Sequence, residues 1–230
     1  MTRISDALEF GGRRAGMLNR AIKGSIVTMS FVPATLDRDG VCAAQQLGAA
    51  GNLTLNGALV SRGVATVADS GSYGRCVGVY SGSNLSTINF TVRGFDIYGV
   101  PMAETIAGPN NATTAGLKAF WRVTSVYADA AVGSNVEVGT IDKFGLPMYL
   151  VSNVNIVRIG WDGTLADNAA TVAAGVTTSP ATATTGDVRG TIIQGGNAAN
   201  GSRRLAVAFI PDLTSNATKW GVTQYKTGLE

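Results

Sequence analysis

Between Thr87 and Ile106 the sequence alternates apolar and polar residues, breaks at a hexapeptide bracketed by glycines, and then resumes. Ile88, Phe90 and Val92 alternate with Thr87, Asn89, Thr91 and Arg93. A period of two buries one face of a β-strand and no face of a helix. Gly94-Phe95-Asp96-Ile97-Tyr98-Gly99 supplies two glycines for turn conformations and an aspartate for local hydrogen bonds. Val100 to Ile106 then runs back as a second strand. Pro101 has no N–H to give to a ladder, which places it at that strand's start or on a sheet edge.

The same grammar recurs along the chain. Ile26 to Val32, Asn52 to Val60, Arg75 to Tyr80, Ala119 to Ala128, Val136 to Thr140, Met148 to Ile159, Val188 to Ile193 and Leu205 to Ile210 read as further strands. Thirty glycines in 230 residues is about 13%, nearly twice the usual ~7%, and they fall between short Val/Ile/Thr runs. Regular short strands with glycine-rich turns predict an all-β antiparallel sandwich or barrel. Leu165 to Thr185, rich in Ala and Thr, interrupts the rhythm and reads as a long loop near residues 165–185 of a body spanning 25–230. Residues 1–24 read as an arm outside the sandwich, extended or partly helical, with Ser5 as a helix cap and Leu18 and Ile22 on one helical face.

That arm carries Arg3, Arg13, Arg14, Arg20 and Lys23 against Asp6 and Glu9, which accounts for the whole net charge of +3 and leaves the body neutral. A basic arm on a neutral body suits contact with an acidic neighbouring subunit, and equally a solvated terminus. The body lacks the basic clusters interleaved with aromatics that mark a nucleic-acid groove, so no nucleic-acid partner is expected. No apolar run is long enough to cross a bilayer, and no signal-peptide pattern opens the chain, so neither a membrane partner nor secretion is expected.

Absences narrow the chemistry further. The chain contains no histidine, which excludes Ser-His-Asp and Cys-His nucleophile systems and histidine metal sites. Cys42 and Cys76 are too few for a four-cysteine zinc site; each reads as a buried thiol, with one disulfide between them also open. Asp37-Arg38-Asp39-Gly40 lacks the spacing of a calcium loop and reads as a turn. No cofactor, metal or catalytic residue is expected, and the protein reads as a non-enzyme. Three side-chain sets carry open questions. Glu104 shares strand parity with Met102 and Ile106, which turns its carboxylate inward unless a bulge intervenes or Arg93 pairs with it. Asp187 and Arg189, two apart on one predicted strand face, suit a shared partner at a subunit contact as well as a surface ion pair. Trp121, Trp161 and Tyr127 suit a sugar-stacking platform as well as a core.

Several blocks carry a resemblance. Gly94 to Gly99, Glu104 to Asn110, Lys118 to Val126 and Val138 to Thr140, extended by Phe144 to Pro147, Trp161 to Gly163 and Thr185 to Thr191, resemble segments of structural proteins of tailed bacteriophages, in particular capsid decoration, or cement, proteins. The resemblance implies a jelly-roll-like β-sandwich made in the bacterial host cytoplasm and placed on the outer capsid surface of the virion. It implies the major capsid protein and further copies of the chain, commonly a trimer, as partners, with no catalytic residues. A tail or head-to-tail connector component and a carbohydrate-binding tail module are the alternatives. On this reading Arg3, Arg13, Arg14, Arg20, Lys23, Asp187 and Arg189 are the candidate capsid or subunit contacts.

Overall fold

The structure, a computed structural model, describes residues 26–69, 73–162, 165–166, 170–176 and 182–211. The arm of residues 1–24, with its five basic candidates and its expected helical turns, lies outside the described residues. The described strands are β1 (Val27–Phe31), β2 (Cys42–Leu47), β3 (Gly51–Asn52), β4 (Val60–Ser61), β5 (Val64–Thr66), β6 (Arg75–Asn84), β7 (Asn89–Phe95), β8 (Pro101–Ala107), β9 (Asn110–Phe120), β10 (Arg122–Ala128), β11 (Val132–Gly145), β12 (Ile156–Trp161), β13 (Leu165–Ala166), β14 (Thr171–Ala174), β15 (Gly190–Ile193) and β16 (Leu205–Phe209). Among the described residues one 3-10 turn, Asn153–Asn155, is the only helical element, and no helix is long and apolar enough to cross a membrane.

The fold is the expected all-β sandwich, built as three antiparallel sheets. A first sheet runs β4-β5-β10-β7-β8, with β3 also on β10; a second runs β14-β15-β11-β6-β9, with β2 also on β11; a third runs β1-β16-β12-β13. The hairpin read from Thr87 to Ile106 is present, with β7 and β8 in unbroken register from Asn89 opposite Ala107 to Phe95 opposite Pro101. Pro101 opens β8, which lies at the edge of its sheet. Gly94 is required there, because a Cβ would overlap the carbonyl oxygen of Arg122 on β10.

Two apolar cores form between these sheets. The first, drawn from Val41 to Val138, lies between the first and second sheets and buries Phe90, Val92, Phe120, Val126 and Val136 completely. The second, which takes in Met29, Phe31, Phe144, Trp161 and Phe209, lies between the second and third sheets. Each such side chain contributes about 1.5–3 kcal/mol relative to exposure. The 14-residue β11 serves both: Val132, Val136 and Val138 enter the first core and Phe144 enters the second.

Four expected strands are corrected. Leu53, Leu55 and Leu59 do alternate toward the first core, but Leu53 to Leu59 forms no ladder. Its backbone is satisfied singly instead: Leu53 N–H donates to Val126 C=O (2.8 Å), Gly57 and Leu59 N–H donate to Val41 and Gly40 C=O, and Gln45 both accepts from Thr54 N–H (2.8 Å) and donates to Thr54 C=O (2.9 Å), while the Asn56 side chain accepts from Ala43 N–H (2.8 Å). The run from Ala119 to Ala128 is cut at Trp121, where the chain leaves β9 in the second sheet and enters β10 in the first. Met148 to Asn155 is irregular, and only Ile156 onward is strand. Val188 and Arg189 precede β15 in a bend. The segment expected as a loop near 165–185 holds two strands, β13 on β12 and β14 on β15, since its Ala/Thr/Val alternation still offers Val172 to the second core.

Candidate functional site

The interior where β8, β9, β11 and the segment before β15 meet is polar and holds the most unusual chemistry of the protein. Buried charged side chains among the described residues are four acidic (Asp69, Asp96, Glu104, Asp187) and four basic (Arg75, Lys118, Lys143, Arg189). Burying an ion costs several kcal/mol unless it is paired and hydrogen-bonded, so each needs a structural reason.

For Glu104 the reason is a bulge. Across β6 and β9, Cys76 lies opposite Ala119 and Gly78 opposite Ala115, so Gly116, Leu117 and Lys118 all face Val77 alone. A bulge leaves backbone groups without ladder partners. The Glu104 carboxylate reaches over from β8 and accepts the N–H groups of Leu117 and Lys118, the latter at 3.1 Å. Gly116 leaves the room: a Cβ there would lie 2.9 Å from Glu104 Oε2. The inward parity read from sequence is thus present without any irregularity between β7 and β8, where Arg93 lies opposite Ala103. The groups that donate to it are backbone N–H groups of the neighbouring sheet, not Arg93. Burial pushes the Glu104 carboxyl up to about 7 against the pull of those two N–H groups, Lys118 and Lys143. Burial likewise lowers Lys118 to about 8, with Glu104 and Asp187 opposing. Lys118 Nζ donates to Thr182 C=O (2.7 Å), Lys143 Nζ to Gly116 C=O (3.1 Å), and Thr105 N–H to Ala183 C=O (2.8 Å). These contacts hold residues 182–183 against β8 and β9.

Asp187 and Arg189 are only 4% and 2% exposed, and both lie before β15 rather than on a surface strand face. Asp187 accepts the N–H of Arg189 two residues on (2.8 Å), a local turn that competes with strand, and also that of Ala119 (3.1 Å). Arg189 pairs with Asp96 at 2.8 Å, and its guanidinium lies 5.0 Å from the Tyr98 ring centroid. Asp96 also accepts from Tyr98 and Val100 N–H, and the Tyr98 hydroxyl donates to Pro147 C=O. The hairpin tip between β7 and β8 is therefore pinned across the junction. The aspartate expected to shape the turn does so and also anchors it.

A second cluster, missed in the sequence, centres on Arg75. Its guanidinium donates to Ile141 C=O (2.8 Å), Ala34 C=O (2.8 Å), Asp69 (3.3 Å) and Asp142 (2.6 Å). Asp142 also accepts from Gln194 (2.6 Å). Burial raises the Asp69 carboxyl while Arg75 lowers it. One arginine so ties β6 to three other segments, at Ala34, Asp69 and Ile141–Asp142. A basic residue opening an otherwise apolar strand was the only available signal.

The remaining candidates resolve simply. Cys42 and Cys76 are buried free thiols, and burial pushes Cys42 up to about 12 and raises Cys76 as well, which leaves both without thiolate character. Asp37 to Gly40 is a turn, and no cluster of metal-ligating residues occurs among the described residues. Trp161 is fully buried in the second core, so the three aromatics form no common platform. Trp121 is half-buried under Arg122, 4.0 Å from the guanidinium. The interior clusters hold sheets together, and the space beside Asp187 and Arg189 admits no water. Compared with protein-family models, with curated proteins and with solved structures, the chain matches none.

Proposed function

We propose that this chain is a structural virion protein that binds the outer surface of a bacteriophage capsid and stabilises it by bridging coat subunits as a multimer, a trimer at a symmetry axis. One observation carries the reading. The segments that resemble capsid decoration proteins, separate in sequence, supply the groups that meet at the polar junction: Asp96 and Tyr98, Glu104, Lys118, Pro147, Asp187 and Arg189. A resemblance concentrated in the joint between sheets is a likeness of framework, the part that a load-sharing protein must keep. The chemistry is consistent with that role: four acidic and four basic side chains are spent inside, and the outward strand faces are mostly Thr, Ser, Asn and Ala.

A ligand that binds only the assembled shell shifts the equilibrium from disassembly by RT ln(1 + [L]/Kd), about 2.7 kcal/mol per site at a hundredfold excess over Kd. Contacts to several coat subunits make later contacts intramolecular, so modest individual interfaces suffice. Heating particles with and without the protein tests the reading. Stripped particles are expected to release DNA at a lower temperature, and re-adding the protein restores it. Equal release temperatures, or a copy number matching a single vertex rather than the lattice, refute it; the latter result would favour a tail or connector component.

A further inference from the structure

The outward face of the first sheet is electrostatically one-sided. Alternation along β7 and β10 turns Phe90, Val92, Val123 and Val126 inward and leaves Arg93, Phe95, Arg122 and Thr124 outside. Register then gathers them: Arg122 lies opposite Phe95 on one side and Thr66 on the other, and Arg93 lies opposite Ser125 and Ala103. Arg62 adds a third guanidinium at the exposed β4–β5 turn. Among the described residues no strand of this sheet puts a carboxylate on the same face, because Glu104 is turned into the interior. Asp129, just past β10, is committed to Asn89 by two hydrogen bonds of 2.8 Å. A depression of about 170 Å³ lies between β7, β8 and β10, lined by Arg93, Phe95, Met102 and Thr124 among others, with Phe95 36% exposed at its rim.

We propose that this face is a docking surface for an acidic protein segment, whose carboxylates pair with Arg122 and Arg62 while an apolar side chain rests beside Phe95. Charge complementarity carries the choice of partner: among the described residues, the strands of this sheet set arginine on the outward face and no carboxylate beside it. Guanidinium groups take carboxylates in a two-pronged geometry. Arg122 is already stacked on Trp121, 4.0 Å from its ring, which lowers the ordering cost of binding. Protein is favoured over nucleic acid because three arginines interleaved with hydroxyls are few for a phosphate backbone, whose affinity grows with the number of phosphates neutralised. That the acidic segment belongs to a coat subunit rests on the function proposed above; the chemistry of the surface does not.

The test uses the full chain, its charge-reversed form Arg62→Glu/Arg122→Glu, the neutral form Arg62→Gln/Arg122→Gln in case reversal disturbs folding, and Arg62→Lys/Arg122→Lys. Each is measured against immobilised poly-L-glutamate, duplex DNA of equal charge, and stripped particles, with unfolding temperatures as the control. Wild type is expected to bind poly-L-glutamate and particles, with a loss of about tenfold or more on reversal and most affinity kept in the lysine form. Poly-L-glutamate binding unchanged by reversal overturns the proposal. A preference for DNA that reversal abolishes also overturns it, in favour of a nucleic-acid face. Particle binding that survives reversal leaves the proposed function standing and removes this face from it. Absent particle binding with arginine-dependent poly-L-glutamate binding does the converse.

Discussion

Glu104 shows how far strand parity reaches and where it stops. Parity alone turns its carboxylate inward, as found; the bulge that gives it partners lies on another strand, at Gly116 to Lys118, where no alternation announces it. Its titration makes a prediction. With the carboxyl raised from 4.5 to about 7, the folded state holds the proton more tightly than the unfolded chain. That contribution is fully present below the unfolded value and is lost as pH rises through about 7. Wild type is expected to lose up to about 3 kcal/mol from this group between pH 4.5 and 8. Lys118, lowered to about 8, acts in the opposite sense at higher pH, its contribution present above 10.5 and lost as pH falls through about 8. Urea unfolding of wild type and Glu104→Gln at pH 5, 6.5 and 8 measures the difference. Asp69, also raised by burial, contributes a slope common to both proteins. Parallel pH profiles would refute the assignment. The burial of Asp187 and Arg189 was hidden for a related reason: two residues apart means one face only within a strand, and Asp187 folds back on the N–H of Arg189.

At the scale of elements, the hairpin of β7 and β8 was legible because turn, alternation and proline all act locally. The failures from Leu53 to Leu59 and at Trp121 came from partners outside the segment, Gln45 and the carbonyls of Gly40, Val41 and Val126 in one case and a change of sheet in the other. Gly94 belongs to the legible part, though its cause does not, since the turn glycine is also where the β10 backbone passes closest. Gly94→Ala should cost on the order of 3 kcal/mol or prevent folding, read as a drop in unfolding temperature; Gly99→Ala, with open space but φ +74, should cost less. The length of β11 makes a second test. Because one strand lines both cores, Phe144→Ala, expected to cost about 3–5 kcal/mol, should lower a single transition. Coincident circular dichroism and tryptophan fluorescence curves are the expected result; separate transitions would show that the cores melt independently.

For the whole molecule, the all-β class followed from composition and periodicity, and the existence of two cores did not, because no linker separates them. The first core is nested within the second: its residues run from Val41 to Val138, while the second draws on Met29 and Phe31 before them and on Phe144 to Phe209 after. Residues 1–24 differ in charge and composition from everything that follows them. Removing them is expected to change the unfolding temperature by no more than a few degrees while weakening attachment to particles, and full-strength binding by the truncated form would take the arm out of the mechanism. The pairing of β1 with β16, Val27 opposite Phe209 through Phe31 opposite Leu205, also sets a timetable. On the ribosome the strands that line the inner core are all present once residue 138 or so has emerged, but β1 must wait, unpaired on that side, for β16. Until then Phe31 has only Tyr73 and Phe144 to rest on, and the edge of β1 that β16 will cover stays open. Pauses in translation before Leu205, or truncation there, should yield a chain with its inner half closed and its outer half adhesive, and the cell's chaperones would meet it at β1.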